Sequence, residues 1–151
     1  MRSIGSRSLV LFFLFVFVGC ATPPKLHTFE DSAVFSAPYD DVWSAVIETF
    51  ADLNLPIDNM EKASGLITTD WISFTGTGKD YCDCGGAGIS TVLSTEGRFN
   101  VFVRDEESSV RVKVNTTYRE TRVFGDARST VDCTSTGGLE ARIHAEVGAK
   151  L

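Results

Sequence analysis

The chain reads as an α+β domain, an antiparallel sheet of about five strands with two helices packed on one face. Three observations predict it. Residues 97–104 and 110–118 alternate apolar and polar side chains on either side of a polar turn, Asp105 to Ser108, as a hairpin with one dry and one wet face does. Val42, Trp43, Val46, Ile47, Phe50 and Leu53 recur at helical spacing, with Asp41, Ser44, Glu48 and Asp52 opposite. Leu139, Ile143, Val147 and Leu151 stand four apart as a second, narrower stripe. Two such stripes laid on one sheet face make a two-layer α+β arrangement.

Ala33-Val34-Phe35-Ser36 is a short first strand. Pro38 near the first helical position and the carboxylates of Asp40 and Asp41 open the first helix, since both suit the positive end of its dipole. Asn54-Leu55-Pro56 ends it, because proline cannot continue a helix and restrains the residue before it. Ile57 to Met60 and Leu66 to Ile72 pair as a hairpin around the turn Glu61 to Gly65. Residues 73–96, with Gly76, Gly78, Gly85, Gly86 and Gly88 and no sustained period, form the long loop of the domain, and loops of this length are usually functional or disordered. Phe102 falls on the wet face of the 97–118 hairpin, as an edge, a second packing layer or a contact surface. Arg119 to Asp132 is a second irregular stretch with at most a short strand around Arg122-Val123-Phe124. Ser135 or Thr136 caps the last helix, with Glu140 near its first turn. His27 in the leading segment and His144 beside the last apolar stripe are read as solvated and packing residues. Trp43 is read as core.

The N-terminus sets the compartment. Met1 to Ser8 carries Arg2 and Arg7 without an acid, and Leu9 to Val18 are ten apolar residues before Gly19 and Cys20. That is a secretory signal, too short for a membrane span of roughly 20 residues. Phe17-Val18-Gly19-Cys20 resembles the bacterial lipobox, with Phe17 where Leu is usual. The resemblance implies cleavage before Cys20 and acylation of its sulfur and new amine, and several acyl chains anchor far more firmly than one. Ala21, where inner-membrane retention usually needs Asp, implies the periplasmic leaflet of the outer membrane. The expected organisation is a signal over 1–19, acylated Cys20 and a tether over 20–31 holding the domain off the bilayer, and a single domain over 32–151. The chain has 14 basic and 20 acidic residues. Loss of Arg2 and Arg7 leaves 12 against 20, about −8, which argues against nucleic-acid partners and against adhesion to anionic headgroups by charge.

Phe35-Ser36-Ala37-Pro38-Tyr39-Asp40-Asp41-Val42-Trp43-Ser44-Ala45-Val46, followed by Ile57-Asp58 and Lys62-Ala63-Ser64-Gly65-Leu66-Ile67, resembles the helix-grip domains of the BamC-like (NlpB-like) outer-membrane lipoproteins. An aromatic and Asp open the helix, a Trp lies inside it, and Ser-Gly opens the next strand, over roughly residues 33–74. The resemblance implies a helix-grip-like fold that docks onto envelope partners, with no catalytic residues to carry over. The chain has room for one such domain and adds the cysteine-containing loop.

Once Cys20 is acylated, Cys82, Cys84 and Cys133 remain. In an oxidising periplasm thiols pair, so Cys133 is expected to bond Cys84 or Cys82, closing a loop of about 50 residues worth roughly 3–4 kcal/mol. The sharper alternative is a metal site of all three thiolates with Asp80, Asp83 or His144, although Cys-x-Cys with one distant cysteine lacks the paired short spacings of a zinc finger. No metal or other cofactor is expected. Neither histidine lies beside a nucleophile motif, no phosphate-binding glycine pattern opens a helix after a strand, and Asp40-Asp41 is a helix start rather than an acid/base pair. The expected function is therefore a non-enzymatic, membrane-anchored envelope lipoprotein acting as a binding or accessory module, with a role in outer-membrane protein assembly as one form of it. The partners would be the bilayer, through Cys20, and envelope proteins. The alternatives are a small-ligand carrier in the hollow between sheet and helices, and a metal or thiol sensor built on the cysteines.

Overall fold

The computed structural model describes residues 21–74 and 78–151; the signal and Cys20 lie outside the described residues. The organising element is one long hairpin, β6 (Thr91–Glu106) and β7 (Ser109–Phe124), paired from Glu106↔Ser109 to Thr91↔Val123. Four short strands precede it: β1 (Ser32–Phe35), β2 (Asn59–Glu61), β3 (Leu66–Thr68) and β4 (Ile72–Phe74). A fifth, β5 (Cys82–Asp83), follows these, and β8 (Ala127–Ser135) comes after the hairpin. All pairings are antiparallel, in the order β2-β3-β6-β7-β8-β5, with β1 on β7 and β4 on β6. Because each hairpin arm has 16 residues, each is flanked twice. Strand β3 and then β4 line β6, while β1 and then β8 line β7.

Helices α1 (Tyr39–Asp52) and α3 (Gly138–Lys150) lie on one face of the near half of this hairpin; a one-turn helix, α2 (Gly78–Tyr81), leads into β5. The inward side chains Phe99, Val101, Val103, Val110, Val112, Val114 and Tyr118 are buried against Val42, Trp43, Val46 and Phe50 of α1 and Leu139, Ile143 and Val147 of α3. Each such apolar side chain contributes roughly 1.5–3 kcal/mol on burial. The layer between sheet and helices is thus packed with side chains, where a small-ligand carrier would need a hollow. Trp43 is core and stacks with Tyr39 at 6.2 Å. Helix α1 begins after Pro38 and ends where Asn54 takes a positive φ of 53° before Pro56. Among the described residues no helix is long and apolar enough to cross a membrane.

Four expectations are corrected. The sheet has eight strands, not about five. Residues 119–132 are not irregular: β7 runs through Phe124 and β8 begins at Ala127. The loop expected over 73–96 holds β4, α2, β5 and the first residues of β6, leaving, among the described residues, an irregular segment of 84–90. One physical cause serves the first two. The inward positions after Tyr118 are Glu120 and Arg122, both buried, so the alternation continues in space without apolar residues to signal it. On β6 the register shifts between Val92 and Ser94, a bulge that breaks the two-residue period. At the last helix Gly137, with φ 82°, occupies the N-cap rather than Ser135 or Thr136. Glu140 is buried and accepts hydrogen bonds from Thr116 Oγ1 at 2.6 Å and Ser135 Oγ at 2.7 Å, tying α3 to both strands beneath it.

Gly65 gives the Ser-Gly motif a physical reason. Its φ is +68°, its carbonyl accepts the Val103 N–H at 2.8 Å, and a Cβ there would fall 1.9 Å from Val103 O. Gly65→Ala is expected to cost at least about 2 kcal/mol in urea unfolding, through backbone strain and the forced parting of β3 from β6. A loss under about 0.5 kcal/mol would show that this contact does not constrain the sheet.

Candidate functional site

The far half of the hairpin extends beyond the helices, and the cysteines gather there. Strand β5 pairs with β8 as Cys82↔Ser135 and Asp83↔Thr134, so the next step of the ladder sets Cys84 opposite Cys133. The structure joins these two, with Sγ–Sγ 2.02 Å, Cα–Cα 4.2 Å and a sequence separation of 49. Cys82 lies two residues from Cys84 and shares its face; the two sulfurs are 3.8 Å apart, and Cys82 is buried. Register thus selects Cys84 over Cys82.

All three sulfurs lie within 4.8 Å of one another, while Asp80, Asp83 and His144 fall outside that cluster. With Cys84 and Cys133 bonded to each other, neither offers the thiolate that a metal requires. Burial pushes the Cys82 thiol up to about 11, with the charges of Glu120 and Asp83 adding to the effect. A reactive cysteine needs the opposite shift. His144 sits on α3, and burial lowers its pKa, as befits a packing residue.

Arg122 is the functional residue that the alternation pattern hides. Its Nε donates to Glu120 Oε1 at 2.6 Å, one NH2 group to Gly86 O at 3.0 Å and the other to Cys84 O at 2.6 Å. One buried guanidinium therefore holds the 84–86 segment against the sheet and is itself neutralised by a buried carboxylate. The signal available in the sequence was Glu120 and Arg122 at alternate positions, in phase with Val110, Val112, Val114 and Tyr118.

Residues 21–31 form no helix or strand before Asp31, yet they do not stand off the domain as the tether expectation had it. Gly86 N donates to the carbonyl and the hydroxyl oxygen of Thr22, both at 2.9 Å. Asp83 accepts from Gly85 N at 2.7 Å and from Lys25 N at 3.3 Å, and lies 3.5 Å from His27 Nε2. The Gly85 N–H is the chief reason its carboxyl is held below the usual carboxylate range. Thr134 Oγ1 donates to Lys25 O at 2.5 Å, and Phe29 packs so closely on Gly137 that a Cβ there would fall 2.5 Å from the Phe29 ring carbon. This segment is a strap. His27 is exposed, as expected, with its Nε2 3.5 Å from the Asp83 carboxylate. Beneath the strap a polar cleft of about 360 Å³ is lined by His27, Cys82, Asp83, Cys84, Glu120 and Thr136.

On the opposite face Phe102 borders a groove with Arg104, Arg111 and Lys113, and Trp71 lies under Arg119 at 3.9 Å and near Arg98 at 5.2 Å. Phe102 is thus a surface residue of the wet face. Fold and seam together define an α+β protein whose N-terminal strap is bound to a disulfide-pinned loop at one end of a long hairpin. No family model matches the chain, and no curated protein matches it.

Two measurements test this construction. Arg122→Met should cost about 3–5 kcal/mol in urea unfolding, because it leaves Glu120 charged and buried and releases the Cys84 and Gly86 carbonyls. Adding Glu120→Gln should recover part of that loss, as coupled neighbours do. A single-variant cost below about 1 kcal/mol would rule out the strut. In the non-reduced protein Cys82 should alkylate at pH 8 about a hundredfold more slowly than a small thiol, its rate rising about tenfold per pH unit towards 11. Labelling at the rate of a small thiol would overturn the protonated, buried assignment.

Proposed function

We propose that the protein is a lipid-anchored lipoprotein of the bacterial envelope, seated on the periplasmic side of the outer membrane and serving as a non-catalytic binding module for other envelope proteins. One observation carries the reading: the strap that follows Cys20 is hydrogen-bonded at Thr22 to the loop pinned by Cys84–Cys133 and at Lys25 to the strands β5 and β8 beside it. An anchor so close to a bound strap constrains how the domain sits on its membrane, which suits a docking protein. A disulfide between Cys84 and Cys133 suits an oxidising compartment. The lipobox residues Phe17 to Cys20 supply the anchor. The packing of α1 and α3 against one sheet face supports a helix-grip-like description, and with it the resemblance of residues 33–74 to BamC-like lipoproteins.

Cells making the full chain should show acyl label on Cys20 and protein in the outer-membrane fraction, and Cys20→Ala should lose both. Mild crosslinking of the wild-type chain should enrich discrete envelope proteins. Full membrane retention of Cys20→Ala would defeat the anchor, and crosslinking that enriches no envelope protein would defeat the binding role.

A further inference from the structure

We infer that the far end of the β6–β7 hairpin is a membrane-facing surface, whose exposed apolar side chains sink into the boundary between lipid headgroups and acyl chains. The inference rests on the anchor proposed above and goes beyond it, assigning an orientation and a second membrane contact.

Four large apolar residues are exposed at this end: Ile89 at 77 %, Val92 at 40 %, Leu93 at 49 % and Phe124 at 59 %. They are neighbours by construction. Val92 pairs with Arg122, Phe124 lies two residues further on the same face, Leu93 sits in the bulge and Ile89 lies in the loop that enters β6. The 12 residues from Cys84 to Thr95 carry no charged side chain, in a chain of which 23% is charged. Arg122, the cation nearest on β7, is turned inward and engaged with Glu120 and the loop carbonyls. Asp126 and Arg128 follow on the β7–β8 turn and the start of β8. An exposed apolar patch of this kind, bordered by Asp126 and Arg128, marks a contact surface.

The path of the strap identifies the occupant. Ala21 stands beside Gly88, with its nitrogen 3.7 Å from where a Gly88 Cβ would be, and Gly88 immediately precedes Ile89. Ala21 is covalently joined to Cys20. Since Thr22 and Lys25 are held to the loop and β8, the strap cannot pay out to lift the domain away, and the acyl chains leave the molecule at the apolar tip. A bilayer held there meets Ile89, Val92, Leu93 and Phe124 first. Such insertion needs no basic residues, which suits a chain whose net charge does not favour anionic headgroups. Of the other exposed apolar side chains, Leu26 and Phe29 are on the strap, Leu151 follows α3, Met60 is on β2, and Val34 pairs with Arg111, 13 residues before Phe124 on β7 and roughly 40 Å away by strand rise.

The test uses the full chain made in bacteria and purified in detergent with its acyl groups. It is reconstituted into phosphatidylethanolamine and phosphatidylglycerol vesicles carrying a diazirine on an acyl chain, then illuminated and mapped by mass spectrometry. Adducts are expected at Ile89 to Leu93 and Phe124, roughly tenfold above those at Met60 and Val34, since only immersed side chains meet the probe. Leu93→Asp with Phe124→Asp, both at exposed positions, should lower tip labelling roughly tenfold while the chain stays acylated and vesicle-bound. An acylated, vesicle-bound chain labelled equally at Met60 and Val34 would overturn the orientation and leave the anchor standing. A crosslinked dimer through Phe124 would name a second copy as the occupant and overturn it equally. An unacylated Cys20 would overturn the anchor and this inference together.

Discussion

The far half of the molecule depends on one buried charge. Arg122 sits where the alternation of β7 calls for an apolar side chain, and a guanidinium there is tolerable only if its donors are matched. Glu120 takes one, at 2.6 Å, and the carbonyls of Cys84 and Gly86 take others. Those carbonyls belong to a segment with no apolar residue to bury between Cys84 and Gly88 apart from Ala87, so hydrophobic collapse cannot place it. A polar strut can. The same segment donates Gly86 N to Thr22, so the position of the strap follows from that of the loop, and the loop from Arg122.

The Cys84–Cys133 bond acts on the same segment from the other side. It closes a loop with a separation of 49 residues, an entropic contribution on the order of 4 kcal/mol in the chain-entropy account. That stabilisation acts on the unfolded chain, whereas the Arg122 contacts select a conformation in the folded one. The two are complementary: the disulfide limits where residues 78–90 can go, and the guanidinium fixes which carbonyls point inward. Near the helices neither device is needed, because Phe99, Val101, Val112 and Val114 already define the register by burial.

This division also explains what could be read from residues alone. The near half was legible because its inward positions are Val, Phe and Tyr and its helices present plain apolar stripes; α1, the 97–118 hairpin and α3 were placed to within a few residues. The far half was hidden for separate physical reasons. Glu120 and Arg122 keep the strand period but not its chemistry, Leu93 occupies a bulge, and β8 is mostly exposed on both faces, so no alternation develops. The cysteines were recognised as a set, but the choice of partner depends on the β5–β8 register, which no spacing reveals. Strap and tether have the same composition; only its hydrogen bonds to Gly86, Asp83 and Thr134 distinguish them.

The seam holds groups that elsewhere perform chemistry: a thiol beside a disulfide, a histidine beside a carboxylate, and a guanidinium. Here each is engaged in holding position. Asp83 receives the N–H groups of Gly85 and Lys25, Arg122 is directed at backbone carbonyls, and Cys82 is kept protonated by its burial. For Cys82 a reactive role needs the reverse, an exposed thiol with its charged form favoured. The polar cleft under the strap is therefore better understood as the hydrogen-bonded underside of an attachment point. The strap's hydrogen bonds to Gly86, Asp83 and Thr134 hold residues 22–25 on the domain, while the opposite, wet face of the sheet carries Trp71 and Phe102.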